Sequence, residues 1–256
     1  MKIRAILLAL LFVLSASPLF AADRRTDTTR LVIMTFNAEF LWDGVDPEEG
    51  QVEFLWKNSS TEAQERMRDI ANVIIQSNPD IVNLVEVENL NTLQMLNNNF
   101  LQGRGYVPYL VKGRDTFTGQ DVGLLTRIDP ENDQIQRFND SGRSGNTTKS
   151  VSKNYFAKIR VNDQTRLGLI SIHFLARPLD ESRRLQREAQ ADAMRTLARR
   201  LWSEGSLPVI LGDFNDFDGG DGNRDHADNL PRSNVLQMLK DLDPSNTTDN
   251  LIKVSS

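Results

Sequence analysis

Polar side chains that could act together follow four apolar runs of the chain. Asn37 follows LVIMTF, Glu86 follows DIVNLV, and His173 follows LGLISI. Asp213 comes directly after LPVILG, and Asn215 lies two residues beyond Asp213. In layered α/β folds the carboxyl ends of the strands open onto the ligand cleft, so we expect these five residues to converge there.

These residue types suit metal-assisted hydrolysis of a phosphate ester. Glu86 is a hard oxygen donor for Mg²⁺ or Ca²⁺, and Asn37 could add its amide oxygen. His173 can transfer a proton near neutral pH or contact a phosphate. Asp213 and Asn215 would share a face in extended chain, where one could take a proton from water while the other holds a phosphoryl oxygen. A serine triad is less apt, because the chain has no G-x-S-x-G motif.

Each of these residues also has a structural interpretation. Asn37 could form a turn after its strand, and Gly212–Asp213 is a common turn. Glu86 could be the acid that precedes a helix expected at 89–100, and Glu88 competes with it for any role. His173 could be a hydrogen-bonded structural histidine.

Composition narrows the possible chemistry further. The 256 residues include 30 Lys and Arg against 35 Asp and Glu, a formal charge of −5, and no cysteine. Without cysteine there is no disulfide, thiolate nucleophile or Cys-ligated zinc. The two histidines, His173 and His226, exclude a three-histidine metal site. An acidic chain does not hold nucleic acid by counterion release alone, but a metal cation can supply the missing positive charge.

The first 22 residues have the pattern of an export signal. Lys2 and Arg4 precede an apolar run over 6–14, and small residues follow up to Ala22. We expect cleavage near residue 21 or 22 and a periplasmic or secreted protein; a buried N-terminal helix is the alternative. The run is too short for a stable membrane anchor. Residues 23–30 are then a loose N-terminal segment before a domain over 31–256.

Hydrophobic periodicity predicts the elements that position the candidate residues. Strands are expected at 31–36, 81–85, 107–111, 122–126, 155–161, 167–172 and 207–211. Helices are expected at 61–76, 89–100, 181–202 and 233–239, with Thr61 and Ser233 as caps. Residues 43–60 and 139–153 are expected to be loops. The mixture of elements predicts an α/β layered sandwich with antiparallel hairpins in its middle.

Five motifs carry a resemblance to a known family. In order along the chain they are TFNAEFLW (35–42), PDIVNLVEVEN (79–89), GQDVGLLTR (119–127), SIHFLARP (171–178) and LPVILGDFND (207–216). They resemble the endonuclease/exonuclease/phosphatase superfamily, which includes pancreatic-type deoxyribonucleases, abasic-site endonucleases, neutral sphingomyelinases and inositol-phosphate phosphatases. Among members of this superfamily, the motifs are most similar to those of exported bacterial proteins described as nuclease-like.

The resemblance implies a four-layer α/β sandwich with two central mixed sheets flanked by helices, and a divalent metal, Mg²⁺ or else Mn²⁺ or Ca²⁺. It also implies phosphoester hydrolysis by in-line attack of water. By position, Glu86 matches the metal-binding glutamate and Asn37 the asparagine that supports metal and phosphate. His173 matches the histidine that contacts the scissile phosphate or protonates the leaving group. Asp213 and Asn215 match the pair that orients the water and stabilises the phosphorane-like state.

Three further residues are assigned from the same resemblance. Asp121, before the VGLL run, is expected to support the site, and Arg114 and Arg177 are candidate phosphate contacts. The positively charged segment 139–153 could grip a phosphate backbone through Arg143, Lys149 and Lys153.

The chain departs from the family pattern after Asn215. Family members continue with a further aspartate and a Ser-Asp-His motif, whose histidine is essential to the usual mechanism. This chain offers only Asp225–His226, in an acidic, Gly-rich loop that we interpret as solvated. We therefore expect the domain to be incomplete at its C-terminus, without its last strands.

Together these observations predict an exported, metal-dependent phosphoesterase that acts as a monomer, with a nuclease for DNA or RNA as the leading hypothesis. The alternative is a sphingomyelinase-type or small-molecule phosphodiesterase, for which Phe54, Leu55 and Trp56 could form a membrane-docking loop. A truncated, non-catalytic binding protein of the same fold is a second alternative.

Overall fold

The computed structural model describes residues 21–45, 50–217, 232–242 and 251–252. Most of the expected export signal, His226 and most of the acidic loop lie outside these residues. In the described part of the chain, no helix is both long and apolar enough to span a bilayer.

Four strands form the first sheet: β1 (Ile33–Leu41), β2 (Ile81–Val87), β3 (Val107–Leu110) and β4 (Asp121–Thr126). Their order is β1-β2-β4-β3, with β1 and β2 parallel and the other pairs antiparallel. Nearly all of β2 and β4 is buried. Both faces of these strands are covered, which explains why their sequences are continuous apolar runs rather than alternating patterns.

Further along the chain lie two short strands, β5 (Gly142–Ser144) and β6 (Thr147–Lys149), which form a separate hairpin. The second sheet contains β7 (Lys153–Arg160), β8 (Arg166–His173) and β9 (Leu207–Asp213). In this sheet β7 and β8 are antiparallel, whereas β8 and β9 are parallel. Both main sheets are therefore mixed.

Helices cover the outer face of each sheet. They are α1 (Ser60–Ser77), α2 (Leu90–Phe100), α3 (Arg184–Ser203) and α4 (Val235–Lys240). One apolar cluster joins α1 and α2 to the first sheet, a second lies between the sheets, and a third joins the second sheet to α3 and α4. Three apolar interfaces separate four layers, which confirms the predicted sandwich.

Three local predictions were wrong for identifiable reasons. The start of the 23–30 segment is not loose, because Arg24 N donates to Arg127 O at 2.8 Å and the buried Arg25 donates through Nη2 to Val161 O at 2.7 Å. Ser59, and not Thr61, caps α1 by accepting the Glu62 N–H. Residues 139–153 contain the β5–β6 hairpin and the start of β7 rather than one loop. The hairpin lacks an apolar pattern because it is held by close approach to α3: a Cβ on Gly142 would overlap the backbone of Ala189.

A buried chain of hydrogen bonds joins the two sheets. The Tyr155 hydroxyl of β7 donates to Asn83 Oδ1 of β2 at 2.9 Å, and Asn83 Nδ2 donates to Thr35 Oγ1 of β1 at 3.1 Å. Both Tyr155 and Asn83 are fully buried. Because a buried polar group without a partner is costly, these bonds favour one relative position of the sheets.

Replacing Tyr155 by Phe tests this connection. The change leaves Asn83 Oδ1 buried without its donor, so we expect the free energy of unfolding to fall by about 1–3 kcal/mol in urea denaturation. Tyr109→Phe is the control, because the Tyr109 hydroxyl bonds to the exposed Asp133 and the half-buried Asp129, where water can replace it. Equal losses for the two variants would contradict the role given to Tyr155.

Candidate active site

Four of the predicted residues lie together where the two sheets meet. Asn37 Nδ2 of β1 donates to Glu86 Oε1 at 3.2 Å and to Asp213 Oδ2 at 3.1 Å. His173 Nε2 lies 3.8 Å from Glu86 Oε1 and 3.9 Å from Asp213 Oδ2. A cavity of about 270 Å³ opens beside Asn37 and Asp213. The structure thus brings together one side chain from each of four strands, two in each sheet.

Glu86 reaches this cluster because β2 is irregular at that residue. Its φ is 65°, in the left-handed region, and the pairing with β4 shifts register between Val85 and Val87. Such a bulge redirects a side chain that would otherwise follow the alternation of the strand. Glu86 Oε2 then accepts a hydrogen bond from Phe40 N at 3.2 Å.

Strand β1 also departs from regular geometry, and it continues past its predicted end at Phe36. Glu39 and Phe40 have φ of 46° and 61°, a conformation that costs about 1–2 kcal/mol for each residue other than glycine. Asn37 Oδ1 accepts the Glu39 N–H at 2.9 Å. The amide oxygen that the sequence offers to a metal is therefore engaged with the backbone, and the amide nitrogen faces the two carboxylates.

Burial sets the charge of the cluster. Burial lowers the pKa of His173 to about 4, and the nearby Lys153 ammonium lowers it further than Asp213 raises it, so the imidazole is neutral at pH 7. Burial raises the pKa of Glu86, with a contribution from Asp213, while Asn37 and Lys153 oppose the shift. A positive charge at this point would favour the ionised form of Glu86.

Asn215 does not share a strand face with Asp213, as extended chain would require. Strand β9 ends at Asp213, and Asn215 has a left-handed φ of 49°. Asp213 Oδ1 accepts the Asn215 N–H at 2.8 Å, and Asn215 Nδ2 donates to Phe174 O at 3.1 Å. Asn215 therefore fixes the orientation of Asp213 and ties the ends of β8 and β9 together.

The three other predicted residues lie around the cluster. Asp121 is buried, accepts the Gly113 N–H at 2.7 Å and lies 3.3 Å from Lys112 Nζ, so it holds the segment before Arg114. The exposed Arg114 donates to Asn139 Oδ1 at 3.0 Å. Arg177 is also exposed. Within the described ranges, neither arginine has a hydrogen bond or ion pair with the four clustered side chains, so a phosphate contact by either remains a prediction.

Glu88, the competitor of Glu86, has a structural role. Its Oε2 accepts hydrogen bonds from Thr92 Oγ1 at 2.9 Å and from Asp43 N at 3.2 Å. It therefore anchors the first turn of α2 to the segment after β1. The helix-terminal interpretation that the sequence left open for Glu86 applies to Glu88.

Lys153 is buried beside the site, whereas the sequence predicts it in a surface loop. It is the first residue of β7 and lies directly opposite His173 in the β7–β8 register. Its Nζ bonds to Gln120 Oε1 at 3.2 Å and pairs with Asp115 Oδ2 at 2.9 Å. The alternation of side chains along β7 could have revealed this burial. Lys153 lies two residues before Tyr155 and therefore on the same face of the strand, and Tyr155 faces the other sheet.

The donor set fits a hard divalent cation that keeps several waters. Glu86 and Asp213 bring two carboxylates to one amide, and Asn37 holds them in place. In the residues that the structure describes, no group of three or more His, Cys, Asp or Glu forms a ready metal cage. Mg²⁺ is commonly bound by one or two carboxylates together with waters and a substrate phosphate, so this arrangement suits Mg²⁺ better than structural zinc.

Comparison with known proteins identifies the family. The model of the Endonuclease/Exonuclease/phosphatase family matches residues 34–251, and the chain belongs to this family. Its members share a phosphoesterase fold, which the four-layer sandwich reproduces. The search of curated proteins found no match.

Solved structures with a similar fold share little sequence with this chain. TDP2 from C. elegans is 18% identical, with a TM-score of 0.46 over 72% of this chain and 48% of that chain. The human Nocturnin catalytic domain is 16% identical, with a TM-score of 0.44 over 73% of this chain and 65% of that one. D. rerio TDP2, complexed with a single-strand DNA product, is 15% identical with a TM-score of 0.41, over 74% and 62%. The chain spans about half the length of the C. elegans protein.

The metal site is tested by measuring the Tm of thermal unfolding at increasing Mg²⁺ concentrations. A ligand that binds only the folded state stabilises it, by about 2.7 kcal/mol at a hundredfold excess over its Kd, so we expect Mg²⁺ to raise the Tm. Glu86→Gln should move this titration to at least about tenfold higher Mg²⁺, because it removes a ligand charge. Glu88→Gln, a buried carboxylate two residues away, should titrate like the wild type. A Glu86→Gln titration that coincides with the wild type would exclude Glu86 as a ligand.

Proposed function

We propose that this protein is an exported, metal-dependent phosphodiesterase that hydrolyses nucleic acid. The family membership supports phosphoester hydrolysis in general. The observation that carries the more specific proposal is the Asn37 amide, which bridges Glu86 and Asp213 from different sheets beside His173 Nε2. In this geometry two carboxylates and a neutral imidazole lie together beside a cavity.

The side chains divide the work of hydrolysis between them. Glu86 would hold a divalent cation, which offsets the charge of the phosphate when it is bound, and the Asn37 amide nitrogen would orient the Glu86 carboxylate. Asp213 Oδ2 faces the cluster and can take a proton from an attacking water, while Asn215 N–H fixes the other oxygen. Acidic neighbours favour a proton on His173 Nε2, so the neutral ring can donate to a phosphate oxygen.

Charge near the cluster favours a polyanionic substrate. Lys153 places an ammonium group close enough to lower the pKa of both His173 and Glu86. The exposed Arg114 follows directly from the segment that Asp121 holds. Exposed Arg143 lies on the β5–β6 hairpin. The two exposed arginines, Arg114 and Arg143, can add contacts to phosphates on either side of the scissile one, whereas the buried Lys153 acts only through its charge.

The packing of residues 54–56 argues against the membrane-docking loop that a lipid substrate would require. Of the three residues that could form a docking loop, Phe54 and Trp56 are half-buried and pack on each other, with ring centres 5.4 Å apart. Leu55 is 87% exposed. Of these three residues only Leu55 is exposed, and docking through this loop requires a larger apolar patch.

Cleavage of a panel of substrates tests the proposal. Purified protein with Mg²⁺ should cleave plasmid DNA or RNA, and EDTA should abolish the cleavage. Cleavage of sphingomyelin vesicles or only of bis-p-nitrophenyl phosphate would favour the alternative phosphodiesterases. Binding of Mg²⁺ without cleavage of any substrate would indicate a non-catalytic protein of the same fold.

Asp213→Ala identifies the site responsible for any cleavage. It should lower the rate by at least about a hundredfold, the typical contribution of acid–base catalysis, and should leave the Tm nearly unchanged. Asp163→Ala is the control, because this exposed carboxylate lies at the β7–β8 turn, at the opposite end of the sheet from His173. Full activity in Asp213→Ala would reject the mechanism.

We infer export from the charged, apolar and small-residue order of residues 1–22. Expressed in a bacterium, the full chain should be found in the periplasm or the medium, at a size reduced by the removal of about 22 residues. The chain without residues 1–22 should stay in the cytoplasm. The same location for both forms would contradict the inference.

A further inference from the structure

Three consecutive backbone carbonyls beside the candidate site are held by one stacked pair of side chains. Arg66 Nη2, on α1, donates to Ala38 O and Glu39 O, each at 3.1 Å. Trp56 Nε1 donates to Phe40 O at 2.7 Å. The Arg66 guanidinium carbon lies 3.8 Å from the centre of the Trp56 ring, so the two donors also support each other.

The segment that these bonds hold is strained. Glu39 and Phe40 both occupy the left-handed region, and neither is a glycine. Two such residues in succession persist only where their surroundings determine the conformation. Arg66 and Trp56 bind every carbonyl from Ala38 to Phe40, so together with the Glu86 carboxylate they hold this conformation from outside the strand.

This strained turn supplies hydrogen bonds to both oxygens of Glu86. Asn37, just before the turn, donates to Glu86 Oε1, and the Phe40 N–H, at its end, donates to Glu86 Oε2; both distances are 3.2 Å. If the turn relaxed towards regular strand geometry, the Phe40 N–H and the Asn37 side chain would both move. The orientation of the Glu86 carboxylate therefore depends on the conformation of residues 38–40.

Aromatic packing fixes the Trp56 ring from the other side. Phe54 lies between Trp56 and Phe40, with ring centres 5.4 Å and 4.6 Å away respectively. Trp42, fully buried, packs against both Phe40 and Phe54. This explains why the aromatic residues of the 43–60 segment are held in the fold rather than presented to a membrane.

We propose that Arg66 and Trp56 are positioning residues that set the metal affinity of Glu86 through the backbone of residues 38–40. The inference rests on the proposed metal-dependent function. Both side chains bond to the turn and not to the clustered side chains in the described residues, so each acts by holding the left-handed turn. A lysine does not replace Arg66, because an ammonium group lacks the planar guanidinium that stacks on the Trp56 ring.

Mn²⁺ binding, measured by the loss of the free-ion EPR signal, tests the proposal without any substrate. Arg66→Met keeps the apolar stem but removes the donors, and Trp56→Phe keeps an aromatic ring but removes the N–H. Each should raise the Kd for Mn²⁺ by about tenfold or more, the effect expected of groups that orient a metal ligand. Urea denaturation should show that both variants remain folded.

The same helix provides a matched control. Arg68 lies two residues along α1, with its guanidinium carbon 5.7 Å from the ring centre of Phe100. Arg68→Met removes a similar arginine that lies over an aromatic ring, but it leaves the contacts to residues 38–40 intact. Its Kd for Mn²⁺ should therefore equal that of the wild type. Equal Kd values for Arg66→Met and Arg68→Met would overturn the proposal.

A second substitution separates positioning from general destabilisation. Glu39 has a largely exposed side chain, and glycine adopts its φ of 46° without steric cost. Glu39→Gly in the Arg66→Met background should therefore recover part of the lost Mn²⁺ affinity, although it adds no contact. The absence of any recovery, together with a lowered urea midpoint, would indicate a merely structural role and overturn the proposal.

The outcomes also distinguish this inference from the proposed function. Wild-type binding of Mn²⁺ with unchanged binding by Arg66→Met and Trp56→Phe would reject the positioning role and leave the phosphodiesterase proposal standing. A wild-type protein that neither binds Mn²⁺ nor cleaves a phosphodiester would overturn both.

Discussion

One amide group between two carboxylates is the constraint on which the candidate site depends. Asn37 donates to Glu86 within its own sheet and to Asp213 of the other sheet. The two acids therefore come close only when the two sheets pack in this relative position. The Tyr155–Asn83 bond in the middle of the sandwich favours the same relative position of the sheets. Like charges in a partly buried position repel one another, and a cation or a donor between them is the physical solution.

The electrostatics of the site follow from its position between layers. Burial neutralises His173 at pH 7 and raises the pKa of Glu86, while the Lys153 ammonium acts in the opposite sense on the carboxylate. Lys153 is itself held by Asp115, which keeps a positive charge beside the acids without a direct bond to them. A chain with net charge −5 can thus present a local environment suited to an anionic substrate once a cation is bound.

Backbone irregularity positions the donors. Glu86 lies on a bulge, Glu39 and Phe40 form a left-handed turn, and Asn215 begins the segment after β9 with a positive φ. Each irregularity turns a side chain or an N–H towards the cluster, and each is held by a hydrogen bond from a neighbouring element. The strain is concentrated beside the candidate chemistry, while the strands beneath it are regular and apolar.

The layers and the candidate residues at the strand ends follow from the sequence, with Glu88 still a competitor of Glu86, because buried strands are continuous apolar runs that end in polar residues. The folded structure shows that Glu86 rather than Glu88 enters the cluster, that Asn215 orients Asp213, and that Lys153 is buried opposite His173. These outcomes depend on contacts between residues far apart in the chain; Asn37 and Asp213 are separated by 176 positions. Local periodicity records which face of an element is buried, but it contains no information on bulges, left-handed turns or the partner that a polar group meets across a sheet interface.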